Sequence, residues 1–360
     1  MGNVGAVTTI AAVHGVLGAH RYPQAELTDV FAALCLPAAE DGRRSLARRL
    51  HTSAKVANRH LALPLEEYAR IDGFTAANDA FLSVAVDLGA QAVAGAVKEA
   101  GLDISDVDLI VSTTVTGIAV PSLDARIAGR LGLRPDVKRV PLMGLGCVAS
   151  AAGIARVHDH LLGAPDAVAV LVAVELCSLT VQRGDPTTAN MVAAGLFGDG
   201  AAAVVLLGAD RGRAVTGPRV VASRSHLYPN TERAMGWDVG SSGLRIVLGT
   251  EVPELVSTYL GGDVAGLLAD HGLTIADIGT WVCHPGGPKV IEAIQDSLGL
   301  PPAALELTWR SLREVGNLSS ASVLHVLRDT LALRPPNADD WAVLMAMGPG
   351  FCAELVLLRW

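Results

Sequence analysis

Val140-Pro141-Leu142-Met143-Gly144-Leu145-Gly146-Cys147-Val148-Ala149-Ser150-Ala151-Ala152-Gly153-Ile154-Ala155 is the stretch whose reading decides the fold class. An extended apolar run meets two glycines one residue apart, and small helix-forming residues follow. Strand, tight turn and helix in that order are the unit of an α/β protein. Cys147 is the first residue after the glycines, at the junction of turn and helix. Unpaired N–H groups and the positive end of a helix dipole favour an anion there. That setting lowers the pKa of a thiol. Apolar surroundings oppose ionisation unless a cationic partner stands nearby. Taken alone, Cys147 reads equally well as a nucleophile and as a small buried hydrophobe.

Working outward, the chain repeats itself. Gly101-Leu102-Asp103-Ile104-Ser105-Asp106-Val107 matches Gly272-Leu273-Thr274-Ile275-Ala276-Asp277-Ile278 almost residue for residue, 171 positions later. A helical segment precedes each glycine, Val93 to Leu102 and Val264 to Leu273, with the glycine as C-cap. A buried strand follows each, Leu109 to Val115 and Trp281 to Cys283, and His284 falls where Thr113 stands. Val168 to Val174 pairs with Trp341 to Met347 at an offset of 173. Such continuous apolar runs suit strands covered on both faces. Two matches at nearly one offset imply two similar α/β halves, 1–215 and 216–360, with a polar, turn-rich crossing at 209–236. Residues 4 to 17 are apolar enough for a first strand. Residues 41 to 61 read as a basic helix.

The composition bounds the rest. The 360 residues are 51% hydrophobic and rich in Ala, Val, Leu and Gly, which fits a large, closely packed core. No uninterrupted apolar run reaches the roughly 18 residues of a membrane span. A net charge of −8 argues against a nucleic-acid surface. Met1-Gly2-Asn3-Val4-Gly5-Ala6 has no basic region of a secretory signal and no Ser or Thr for myristoylation. The five cysteines lack metal-ligand spacing, and their odd number points to reduced thiols in a cytoplasm.

The repeat also sorts the chemistry. At the offset of 173, Cys147 maps three residues past Asn317, in Val315-Gly316-Asn317-Leu318-Ser319-Ser320-Ala321-Ser322. Cys147 and Asn317 then start equivalent helices, and a pseudo-two-fold axis brings both helix ends to one spot. His284, in Cys283-His284-Pro285-Gly286-Gly287, stands at the C-terminal edge of a strand, where α/β sheets place their sites. Read separately, His284 is equally a surface-turn histidine, and Asn317 is more readily a plain helix N-cap. In His158-Asp159-His160, residues two apart on a helix do not converge, so the triplet reads as exposed surface. Gly144-Leu145-Gly146 lacks the Lys-Ser/Thr signature of a phosphate loop.

Together Cys147, His284 and Asn317 point to acyl transfer. A Cys147 thiolate, paired with a cationic His284, attacks an acyl thioester and keeps the acyl group. His284 and Asn317 then donate hydrogen bonds to the carbonyl of a malonyl-type thioester. Loss of carbon dioxide leaves an enolate whose charge those donors hold. This scheme needs no metal or redox cofactor.

The chain resembles the type III polyketide synthases of the thiolase superfamily from about residue 45 onward. The resemblance rests on Gly144-Leu145-Gly146-Cys147, Leu196-Phe197-Gly198-Asp199-Gly200-Ala201-Ala202, His284-Pro285-Gly286-Gly287, Gly316-Asn317-Leu318-Ser319-Ser320 and Gly348-Pro349-Gly350-Phe351. It implies a Cys147-His284-Asn317 triad, a homodimer, the five-layered αβαβα thiolase fold and free coenzyme A thioesters as substrates. It makes Phe197 a gatekeeper, with Ile246 where plant members carry a second aromatic. Thr116, Val120, Cys177, Thr180, Trp237 and Ser319 are similar to cavity positions. Small Thr116 and Cys177 are similar to actinobacterial members that take long fatty acyl starters. Of the cationic coenzyme A patch, Arg49 matches; Leu46 and Ser53 replace lysines, and Arg48, Lys55 or Arg59 stands in.

The expected activity is decarboxylative Claisen condensation: an acyl-CoA starter on Cys147, extension by malonyl-CoA, and closure to an alkylpyrone or alkylresorcinol. An initiating ketoacyl-carrier-protein synthase shares the triad but usually carries Gln-Ala-Asn after its histidine. A catalytically silent acyl-CoA-binding paralogue is the alternative of another class.

Overall fold

The computed structural model describes residues 7–36 and 41–360. Its strands are β1 (Thr8–Leu17), β2 (His20–Pro23), β3 (Asn58–Leu61), β4 (Leu109–Thr113), β5 (Lys138–Leu142), β6 (Val168–Leu176), β7 (Asp199–Leu207), β8 (Arg219–Leu227), β9 (Met235–Gly240), β10 (Gly243–Leu248), β11 (Ile278–Cys283), β12 (Trp341–Gly348) and β13 (Cys352–Arg359). Nine form one sheet in the order β11-β12-β13-β8-β1-β7-β6-β4-β5. β4 runs parallel to β6 and β6 antiparallel to β7; β11 runs parallel to β12 and β12 antiparallel to β13. The repeated segments thus occupy matching places on either side of a seam. At that seam β1 meets β8 only through Thr8–Val220 and Thr9–Arg219.

The repeat is a repeat of local chemistry. Gly101 and Gly272 end their helices at φ +70° and +68°, a left-handed backbone that suits glycine. One turn later Asp103 with Asp106, and Thr274 with Asp277, form reciprocal capping boxes. Each box feeds a strand, β4 or β11.

Side-chain alternation in the strands divides the core into layers. In β6, Val168, Val170, Val172 and Val174 face the long helix Gly73–Glu99, while Ala169, Leu171 and Ala173 face inward. In β12, Ala342, Leu344 and Ala346 join that inner core, and Val343, Met345 and Met347 face outward toward the helix Val252–Ala269. Helices Ala149–Leu162 and Ser322–Leu333 fill the space between the two half-sheets. Helix, sheet, helices, sheet, helix make a five-layered αβαβα arrangement. Close approach needs small residues: a Cβ on Gly153 would stand 2.7 Å from Leu171 Cδ1. Gly73–Glu99 is long and apolar enough to cross a bilayer, but its Phe81, Ala85, Leu88, Val93 and Val97 are buried in the core.

Three boundaries differ from the sequence reading. The basic helix ends at Ser53 rather than running to 61, because Lys55 takes a left-handed backbone at φ +57° and the chain turns into β3. β4 stops at Thr113, since the Val115 N–H donates to Glu175 instead of a neighbouring strand. The first strand begins at Thr8, and residues 4–6 lie outside the described residues.

Candidate active site

Cys147 is held by a turn that only glycines allow. Gly144 and Gly146 adopt φ +88° and +58°, and a Cβ on Gly146 would sit 2.6 Å from Pro349 Cδ. One 3-10 turn, Gly146–Val148, then leads into Ala149–Leu162. Cys147 is 7% exposed, and its thiol donates to Ser319 Oγ at 3.7 Å. The second half repeats this with the 3-10 turn Ser319–Ala321 before Ser322–Leu333.

Asn317 caps that second turn and keeps a free hand. Its Oδ1 accepts from the Ser319 N–H at 2.8 Å, and its Nδ2 donates to the Gly286 carbonyl at 3.4 Å. Gly286 belongs to the turn after β11, and its N–H donates to the His284 carbonyl at 2.9 Å. The Asn317 side chain stands near enough to the Cys147 thiol to favour its ionised form slightly. Capping and site formation are therefore done by different atoms of one amide. The structure brings Cys147, Asn317 and the His284 turn together; His158, expected at the surface, is instead 7% exposed and bonded through Nδ1 to Thr8 Oγ1 at 2.9 Å. Its helix face packs toward β1, while Asp159 points outward to Arg156.

The electrostatics differ from the thiolate–imidazolium expectation. Burial pushes the Cys147 thiol up to about 12; hydrogen bonding to Ser319 opposes this, and the Glu175 carboxylate adds to it. Burial alone pushes His284 down to about 3. Desolvation opposes the charged form of each group, against the short helix N-terminus. Neither ring nitrogen of His284 has a hydrogen-bond partner. A buried imidazole so left has one N–H to give and one lone pair to receive a proton.

The cavity over Cys147 is small, about 40 Å3. Phe197, Cys177, Ser319, Trp237 and Ile246 line it. Trp237 and Ile246 face each other across the β9–β10 hairpin, a two-stranded sheet of its own. Val115, Met235 and Pro349 also line it and were not singled out from the sequence. Three expected cavity residues are elsewhere. Val120 is 90% exposed, on a loop turned to solvent. Thr116 stands behind the wall, its hydroxyl donating to Glu175 at 2.9 Å and accepting from the Leu176 N–H. Thr180 spends its hydroxyl on the Cys177 carbonyl.

The expected carrier cations separate as well. Arg49 is exposed. Lys55 is exposed, 3.2 Å from Glu292 and above the Trp309 ring at 4.7 Å. Arg59 is not at the surface: it is 1% exposed, because β3 turns it inward to donate to Gln24 Oε1 and to the Phe197 carbonyl, both at 2.9 Å.

Buried neutral histidines make the protein acid-sensitive. Burial holds His51 down to about 4, and His284 and His325 each down to about 3. A depressed histidine contributes stability that is present above the unfolded value near 6.5 and lost as pH falls. At pH 5 each costs about 2 kcal/mol. Asp199, raised by burial to about 6, works the other way and returns about 1 kcal/mol. The expected net loss from pH 7 to pH 5 is about 5 kcal/mol. Urea midpoints at the two pH values measure it; equal or greater stability at pH 5 would contradict it.

Comparison with known proteins agrees with this geometry. Residues 5–211 match the N-terminal domain of chalcone and stilbene synthases, and 219–360 match the C-terminal domain. The chain is 58% identical over 354 residues to a 1,3,6,8-tetrahydroxynaphthalene synthase of Streptomyces peucetius subsp. caesius, covering 98% of this chain and 93% of the relative. It superposes on the crystal structure of the Streptomyces coelicolor A3(2) enzyme of that name, a bacterial type III polyketide synthase, with TM-score 0.92 at 30% identity, covering 98% and 99% of the two chains. PKS-I of the brown alga Ectocarpus siliculosus gives TM-score 0.91 at 26% identity over the whole of both chains. With both family domains matched in order along a thiolase fold, the chain belongs to the chalcone and stilbene synthase family, the type III polyketide synthases, acyltransferases that act on coenzyme A thioesters.

Proposed function

We propose that this enzyme condenses malonyl-CoA with itself and releases a polyhydroxylated naphthalene, with Cys147 as nucleophile and His284 and Asn317 as carbonyl donors. The observation that carries this reading is 58% identity, over 98% of the chain, to a tetrahydroxynaphthalene synthase. Five malonyl units lose five carbon dioxides and leave ten carbons. Their five carbonyl oxygens, less one lost as water in an aldol closure, give the four hydroxyls in that relative's name.

The site supports each step. His284 takes the thiol proton through its lone pair as Cys147 attacks the starter thioester; the acyl bond to the coenzyme A sulfur breaks, and coenzyme A leaves as its thiolate. The protonated ring then presents an N–H to the thioester carbonyl beside the Asn317 amide. Decarboxylation places negative charge on that oxygen, where two donors in a dry site stabilise it. The enolate carbon attacks the acyl group on Cys147 and returns the thiolate.

The sequence expectation of a long alkyl starter needs open volume beside Cys177. The side chains of Met235, Trp237 and Ile246 occupy that side, and the remaining space is on the scale of a small acyl group. Growth of the polyketide requires the β9–β10 hairpin to yield. Trp237→Ala should admit a six-carbon acyl starter that the parent refuses; an unchanged starter profile by mass spectrometry would discard the hairpin as the size filter.

The enzyme acts as a homodimer in the cytoplasm on this reading. β5 is the sheet's edge, and Val120, Val140 and Met143 are exposed on that side. A second copy covers them. The chain folds as the two halves 1–215 and 216–360, each supplying one side of the site. Incubation with malonyl-CoA alone, with no carrier protein, tests the activity. A ten-carbon tetrahydroxylated aromatic is expected. Product appearing only after a fatty acyl-CoA or an acyl carrier protein is added would overturn the proposal.

A further inference from the structure

Arg59 has the features of a residue that works. It is fully buried, yet β3 carries it in a small antiparallel sheet of two four-residue strands, β2 and β3, beside the active site. Burial holds its guanidinium down to about 10, partly offset by the Asp199 carboxylate, so it stays charged at neutral pH. The Phe31 ring lies 5.4 Å from the guanidinium carbon, but Nη2 has no hydrogen-bond partner among the described residues. A buried cation with an unmet donor is a poor device for stability alone; apolar replacements of buried ions are often neutral or stabilising.

Its partners lie on the segment that carries the gate. Arg59 Nη1 donates to the Phe197 carbonyl at 2.9 Å, and Gln24 Nε2 donates to the Gly195 carbonyl at 2.6 Å. Gln24 Oε1 accepts from Arg59 Nε, so the two side chains act as one clamp on residues 195–197. The clamped segment is bonded to Asn317 in both directions. Asn317 N–H donates to the Leu196 carbonyl, and Gly198 N–H donates to the Asn317 carbonyl, each at 2.9 Å. The Arg59 stem also packs under Gly316: a Cβ there would stand 3.3 Å from Arg59 Cγ. The guanidinium thus supports the residue before Asn317 and the strand beside it.

We propose that Arg59 is a positioning residue for the decarboxylation: through the Phe197 carbonyl and the Phe197–Asn317 bridge it sets where the Asn317 amide stands. It does not contact the carrier's phosphates. The proposal rests on the reading of Asn317 as a carbonyl donor. An error of about 1 Å in a catalytic group costs on the order of a hundredfold in rate.

The test compares Arg59→Lys, Arg59→Met and Gln24→Met with the parent, on malonyl-CoA and on the malonyl thioester of N-acetylcysteamine, which has no phosphates. Carbon dioxide release gives kcat and KM, and thermal melts give the folded fraction. For Arg59→Lys, kcat per folded molecule should fall roughly tenfold, by the same factor with both thioesters and with KM nearly unchanged. Arg59→Met should fall further. Gln24→Met, which keeps the cation but frees one arm of the clamp, should fall less; it carries the test if the Arg59 variants do not fold. A rise in KM for malonyl-CoA alone, with kcat kept, would make Arg59 a carrier contact and overturn the proposal. A lower melting temperature with undiminished kcat would make it structural only and do the same. Asn317→Ala is assayed beside them. If it decarboxylates at the parent rate, the donor reading falls and this proposal with it; if it is impaired while the Arg59 and Gln24 series stays flat, this proposal alone falls.

Discussion

Cys147→Ala is expected to abolish polyketide formation, by on the order of a thousandfold or more, while malonyl-CoA decarboxylation continues. The sulfur is the only thiol both at the cavity and at the head of a helix between the two half-sheets. Cys177 also lines the cavity, but it opens the 3-10 turn Cys177–Thr180 after β6 rather than a helix between the half-sheets, so it is not expected to substitute. Carbon dioxide loss needs only donors on the thioester carbonyl, which the proposed mechanism assigns to His284 and Asn317. The variant therefore separates the two half-reactions. Radiolabelled acyl transfer to the protein should vanish, while carbon dioxide release persists. Continued product formation would remove Cys147 from the chemistry.

His284→Ala and Asn317→Ala carry the other large effect. Each deletes one donor from a site that excludes water, which costs roughly a hundredfold to a thousandfold in decarboxylation. His284→Ala should lose more, because it also removes the base for the neutral Cys147 thiol. The buried, unpartnered ring nitrogens of His284 make the loss specific. No hydrogen bond within the protein is broken by the substitution, so the fold should hold. Asn317→Ala differs. It also strips the cap from the Ser319–Ala321 turn, so a loss of about 1 kcal/mol in stability should accompany the loss of rate. Unchanged decarboxylation in both variants, measured as carbon dioxide release, would remove the assigned donor roles.

What the sequence displayed was whatever local chemistry enforces. The glycine caps at 101 and 272 and the capping boxes after them are local devices, so the repeat was visible before any coordinates. The glycines around Cys147 were visible too, although one reason for Gly146, the Pro349 ring pressed on it, lies some two hundred residues away. Arg59 was read with its basic neighbours because charge runs usually face water. Nothing nearby in sequence announces that the helix ends before it, or that its acceptors are Gln24 and the carbonyl of Phe197. Glu175 was overlooked although it interrupts the apolar run Val168–Leu176, and a lone carboxylate in a fully buried strand is a signal. It gathers Ser320, Thr116 and the Val115 N–H around one buried charge, and so explains why Thr116 is not free to line the cavity. Val120 was placed by analogy of position, and solvent exposure is a property of the assembled surface rather than of its neighbours in sequence.

The seam between the half-sheets puts the nucleophile on one side and both of its helpers on the other. Synthesis on the ribosome proceeds from the first side to the second. A nascent chain that has emerged as far as β7 already carries the sulfur, but neither the imidazole nor the amide exists yet. Such a fragment holds an ordinary thiol that cannot charge itself with cellular thioesters. On the proposed assignment the enzyme is expected to arm itself only on completion, and a proteolytic cut that frees either side is expected to disarm it.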